Sequence, residues 1–165
     1  MILRRRKLPD DVRSQVELKD RERVLAWADD GAGRLVVASE TALHLQRNPP
    51  QYTRITWDQV EQARYDEGIL TILLAPDLGS AALRVPVGDG LDLPVVVRDR
   101  VTSSVVVDRF VAIDGDLGAR IVARKTESGA VTWRLDLNPE LAGRPEAAQA
   151  AEAALQEVKR EVLID

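Results

Sequence analysis

The chain has 165 residues, 45% hydrophobic and 30% charged, with a formal net charge of -4 and a pI near 5.2, which is long and apolar enough for a real core and too apolar for disorder. That acidic balance removes the broad electrostatic attraction a general nucleic-acid binder relies on, so neither DNA nor RNA is expected as a partner. The absence of cysteine excludes a disulfide framework, thiolate metal ligands and a cysteine nucleophile, and a single histidine, His44, limits metal chemistry as severely.

The N-terminus runs from Met1-Ile2-Leu3 directly into the basic cluster Arg4-Arg5-Arg6-Lys7, not into the apolar stretch of a signal peptide. No apolar run reaches the length of about 18 residues that a membrane-spanning helix needs. The expected location is cytoplasmic. Pro9, Asp10 and Asp11 supply first-turn chemistry, and Leu8, Val12 and Val16 recur every four residues, so a short amphipathic helix is predicted over 10–18.

Strands are then expected at 23–28, 34–38 and 42–46, joined by turns at Asp29-Asp30-Gly31-Ala32-Gly33 and Ser39-Glu40-Thr41. Asn48-Pro49-Pro50 reads as a loop, because neither proline can donate to a ladder. Residues 53–66 read as one long or bent strand that breaks near Asp58-Gln59. Gly68 turns into Ile69 to Leu74, whose unbroken apolar character predicts burial on both faces, and Ala81 to Val87 pairs with it.

Gly88-Asp89-Gly90 interrupts the apolar pattern and is the best internal boundary. Over 94–102 the three valines favour strand, yet Pro94 near a first turn and Arg98-Asp99-Arg100 favour helix, which is the preferred reading. Strands follow at 104–113, 119–125 and 130–137. Pro145, Glu146 and an alanine-rich run then predict a helix over 145–162, with Ala148, Ala151, Leu155, Val158 and Val162 as its apolar stripe.

The expected class is α+β: a mainly antiparallel meander or open barrel, closed by the C-terminal helix and preceded by a short N-terminal one. Residues 1–21 form the basic arm and short helix, and 22–165 a single β domain. This architecture, with Ile55-Thr56-Trp57-Asp58-Gln59-Val60 at a strand bend followed by Gly68 and an apolar strand, resembles the bacterial pleckstrin-homology-like proteins. The motif covers roughly 22–87, and 88–137 matches nothing in the family pattern. Heavy use of arginine over lysine, with only Lys7, Lys19, Lys125 and Lys159 among 23 basic residues, fits a GC-rich, actinobacterial type of genome. The resemblance implies binding through loops or a groove, to phosphoinositide head groups in some members and to peptides or proteins in others. The family's lipid site does not carry over, since Asp29 and Asp30 stand where a basic loop is needed.

No motif calls for a cofactor, a metal or a catalytic nucleophile. His44 alternates with Leu43 and Leu45 and is expected to point away from the core. Thr102, Ser103 and Ser104 lack a nucleophile-elbow context, Asp114-Gly115-Asp116 is a hairpin turn rather than a calcium loop, and Gly88-x-Gly90 lacks a dinucleotide fingerprint. The candidate binding residues are Arg4, Arg5, Arg6 and Lys7, which could touch an anionic surface, and the aromatics Tyr52, Trp57 and Tyr65, which would anchor a peptide if exposed together. The leading expectation is a non-catalytic module or scaffold bound to another protein. The alternatives are a peripheral membrane protein using the basic arm, self-association through a sheet edge, and an enzyme with a dispersed site among residues such as Arg98, Arg100 and Asp108.

Overall fold

A computed structural model describes residues 7–47, 51–79, 81–88 and 92–163. The chain divides into two compact units, Met1–Ser104 and Val105–Asp165, and its described residues form three antiparallel sheets with no closed barrel. None of its described helices is long and apolar enough to cross a membrane.

The first unit begins with helix α1 (Asp10–Gln15), followed by strands β1 (Val24–Asp29), β2 (Leu35–Ser39), β3 (Ala42–Gln46) and β4 (Tyr52–Thr56) in one sheet of that order. A second sheet holds β5 (Val60–Asp66), β6 (Ile69–Leu74) and β7 (Ala82–Pro86), and helix α2 spans Asp92–Ser104. Ala26, Val36, Ala38, Leu43, Leu45 and Ile55 line one face of the four-stranded sheet. They pack with Leu70 and Ile72 of β6 and Leu93, Val97 and Val101 of α2 into the main core. Those three α2 residues recur every four positions, and each fully buried aliphatic side chain is worth about 1.5–3 kcal/mol. That burial overrides the strand propensity of Val95-Val96-Val97, while Pro94 is tolerated because a first-turn N–H has no helical partner.

The opposite face of the same sheet is covered by the N-terminal segment. Leu8 and Val16, with Val12 and Leu18, pack on Val37 beside Leu35, Val24, Trp27 and Tyr52. The four-residue spacing of Leu8, Val12 and Val16 is thus used for packing, although helical geometry stops at Gln15 and Val16 is already extended.

The expected long strand over 53–66 is two strands in two different sheets. Between them Trp57–Gln59 forms a 3-10 turn, in which Gln59 Oε1 accepts from the Thr56 N–H at 3.0 Å and the Trp57 indole N–H donates to the Ser39 carbonyl at 3.2 Å. Six anticipated strands before Gly88 therefore become seven. β6 is buried on one face only, through Leu70 and Ile72, so its continuous apolar run overstates its burial.

In the second unit β8 (Val105–Asp114), β9 (Leu117–Lys125) and β10 (Val131–Leu137) form a sheet in the order β10-β9-β8, and helix α3 (Pro145–Val162) packs on it. The 145–162 helix, expected to close a single meander, instead buries Leu155 and Val158 against Ile121, Val107, Val111, Trp133 and Leu135 of its own sheet. Its buried stripe is Ala147, Ala151, Leu155 and Val158; Ala147 occupies the place anticipated for Ala148. Lys159 Nζ lies 5.8 Å from the Trp133 ring centre.

Gly118 on β9 is required by a close approach: a Cβ there would stand 2.0 Å from the Val111 carbonyl oxygen and 2.8 Å from Phe110 Cζ. Because the first obstacle is backbone, it cannot swing aside. Gly118→Ala is predicted to destabilise the second unit by about 3 kcal/mol or more, the upper end for overpacking. Urea titration followed at Trp133 checks this; an unchanged midpoint would refute it.

Candidate functional site

Three buried polar side chains of the first unit, Glu22, Ser39 and His44, gather on one side of its four-stranded sheet. A turn at Asp20-Arg21, with Arg21 in the left-handed region at φ 63°, delivers Glu22 into the protein, where it is 4% exposed. Its carboxylate accepts from the Lys19 N–H at 2.7 Å, from the Thr41 N–H at 3.2 Å and from the Thr41 hydroxyl. Burial by itself raises the carboxyl's pKa, but donors from Ser39, Thr41 and the Lys19 and Thr41 backbone outweigh it and hold the group below its ordinary 4.5.

Ser39 and His44 complete the cluster, with Ser39 Oγ 3.2 Å from His44 Nε2. Ser39 has one proton and two oxygen acceptors in reach, the Ala42 carbonyl at 3.0 Å and the Glu22 carboxylate. His44 Nε2 is therefore assigned as the donor to Ser39, and Nδ1 keeps a lone pair that has no partner. His44 does lie on the sheet face opposite the main core, as its alternation implied. It is nonetheless 1% exposed, because that face too is covered.

A serine, a histidine and an acid in contact invite a hydrolase reading, and the geometry argues against it. The acid is not on the imidazole's second nitrogen, the serine is wholly buried, and the serine accepts the imidazole proton instead of yielding its own. Desolvation, with the Arg54 charge adding and Glu22 opposing, lowers the His44 pKa to about 4, which keeps the ring neutral. These are the features of a structural network.

Two clefts flank Arg47. One, of about 370 Å³, lies on the covered face and is lined by Gln15, Glu17, His44, Arg47, Gln51, Tyr52, Thr53 and Arg54. The other, of about 80 Å³, brings together the start of β2, the end of β3 and β7; Arg34, Arg47 and Arg84 border an apolar strip that includes Leu35, Leu45 and Val85. Asp30 sits in this second cleft. Its carboxylate is engaged by the N–H groups of Ala32 (2.9 Å) and Arg34 (3.0 Å) and by the Arg34 guanidinium (2.6 Å). Burial pushes the Asp30 carboxyl up, and these donors together bring it below its usual range. The acidic loop that seemed to forbid an anion is thus internally satisfied.

The anticipated binding residues do not form one site. Arg4, Arg5 and Arg6 lie outside the described residues, and Lys7 is exposed with Asp10 at 3.7 Å. Trp57 is a core residue at 5% exposure, and Tyr65 packs against the same core and donates to the Gly88 carbonyl at 2.9 Å. Tyr52 is half-buried on the opposite sheet face, beneath the N-terminal segment. Arg98 and Arg100 lie on α2, with Arg100 beside Asp99, whereas Asp108 is held by the Arg120 guanidinium on the second unit's sheet. Among the described residues no three His, Asp or Glu side chains are grouped to hold a metal ion.

Arg34, Arg47, Arg54 and Arg84 were missed because each stands alone in its own strand or loop. Only the tertiary structure brings Arg34, Arg47 and Arg84 to one cleft and Arg47 and Arg54 to the other. Comparison with protein-family models, curated proteins and solved structures gives no match.

His44 predicts a pH dependence. An unfolded chain takes up its imidazole proton near 6.5, whereas the folded chain resists until about 4. Stability is therefore full above 6.5 and falls as the pH drops through that window, by on the order of 3 kcal/mol at its lower end. With one histidine in the chain, a single imidazole NMR signal reports the titration. A midpoint near 6.5 in the folded protein would refute the assignment.

Proposed function

We propose that the protein is a non-catalytic binding module whose first unit is pleckstrin-homology-like and takes an acidic segment of a partner protein at its arginine-lined end. The family reading is supported by seven antiparallel strands in sheets of four and three, followed by one helix packed on their shared core. In that comparison α2 fills the role first given to the C-terminal helix, and the second unit is an addition.

The observation that carries the binding reading is the convergence on one cleft of Arg34, just before β2, Arg47, just after β3, and Arg84 of β7, in an otherwise acidic chain. Guanidinium groups present forked donors that match carboxylates. The adjoining Leu35, Leu45 and Val85 give an apolar contact that a peptide can use. A protein segment is favoured over a multiply charged lipid head group because Asp30 remains in the cleft and occupies Arg34. The wholly buried Ser39 and neutral His44 make catalysis at the first unit's polar network the poorer reading.

A fluorescent Glu/Asp-rich peptide carrying one leucine is the probe, followed by anisotropy, with vesicles of phosphatidylserine and phosphatidylcholine in parallel. Arg47→Glu and Arg84→Glu are each expected to weaken peptide binding about tenfold, equivalent to ~1.4 kcal/mol. Binding to vesicles but not to peptide would transfer the site to a membrane surface. Binding to neither would end the proposal.

A further inference from the structure

Among the described residues, β8 is an edge strand of the second unit's sheet. β8 is ten residues long and hydrogen-bonds to β9 on one side only within its sheet, so its other side offers unpaired N–H and C=O groups. Its register shifts lie at Val105/Val107 and Ala112/Asp114, leaving the stretch between them regular. That stretch contains Phe110, the largest exposed apolar side chain of the strand at 58%, with Val106 at 44% on the same edge. The Phe110 ring reaches to Gly118 of β9.

We infer that β8 pairs antiparallel with β8 of a second copy of this chain, about a two-fold axis at Phe110, joining two three-stranded sheets into one of six. Residues directly opposite each other in an antiparallel pair point to the same face, so a two-fold pairing of one strand with itself must be centred on a residue. The charges at Asp108, Arg109 and Asp114 then select the centre. Centring on Asp108 opposes two aspartates, and centring on Arg109 opposes two arginines. A centre at Val111 sets Asp108 against Asp114 twice. At Phe110 no like charges meet: Phe110 faces Phe110, Asp108 faces Ala112, Arg109 faces Val111 and Val107 faces Ile113. Centres nearer either end shorten the overlap and run into the register shifts.

A peptide strand from another protein would use the same hydrogen bonds, but nothing in it need match this pattern. The strand's own sequence does match, which is why the occupant is a second copy. This inference concerns the second unit and is independent of the arginine-lined cleft.

Sedimentation velocity over a range of concentrations tests it with the whole chain. The mass is expected to rise from 18.2 kDa toward twice that value. Phe110→Glu and Phe110→Lys should each keep the chain monomeric, because each sets like charges face to face, and an equimolar mixture of the two should recover the dimer. Ala112→Lys places an ammonium opposite Asp108 of the other copy at two symmetric positions, and should tighten association several-fold. A wild-type mass fixed at 18.2 kDa, a dimer unaffected by Phe110→Glu, or a Glu and Lys mixture that stays monomeric would each overturn the pairing.

Discussion

A carboxylate removed from water has to be met by donors, and Glu22 is met by four groups from two parts of the chain. Lys19, just before it, and Ser39 with Thr41, at the β2–β3 turn, are held to one point. The same turn places Ser39 to receive Trp57's indole hydrogen on its carbonyl and His44 on its hydroxyl. Removing Glu22 would take the acceptor from the half-buried Lys19 and Thr41 donors, at a cost of about 1–3 kcal/mol for each one left unsatisfied. The organisation of the first unit follows from this point outward.

One consequence is that the four-stranded sheet is buried on both faces. The inner face has the usual alternating aliphatic residues and α2. The outer face has the polar network, Val37 and the N-terminal segment above them. A histidine on an outward-facing position, ordinarily solvated, becomes a desolvated neutral group. Ser39, His44 and Glu22 are thereby all held out of water.

The arginine-bordered cleft is built from side chains at or near the ends of strands. Arg34 just before β2, Arg47 after β3 and Arg84 of β7 line one cleft. Asp30 spends its lone pairs on its own loop and on Arg34, so it shapes the cleft without cancelling it. In the second unit the ion pairs Asp108–Arg120, Arg134–Asp136 and Arg109–Glu161 similarly tie charged groups to their own sheet and helix. Exposed pairs of this kind contribute little stability.

Local chemistry was enough to read most elements directly from the sequence. Helix α3 begins at Pro145 and ends at Val162 as its first-turn proline and alanine run imply, and the turns at Asp29–Gly33 and Asp114–Gly115 follow from residues that tolerate the required backbone. The Thr56-Trp57-Asp58-Gln59 pattern located the bend near residue 58. It could not say that the two arms enter different sheets, because a strand's partner is chosen by hydrogen bonding to distant chain. Likewise α2 emerged from a valine-rich segment only because its stripe had a core to enter. Whether Trp57 lined a groove or a core, whether His44 met water, and which arginines met one another depended on register and burial. Those are properties of contacts between residues far apart in sequence, so only the tertiary structure decided them.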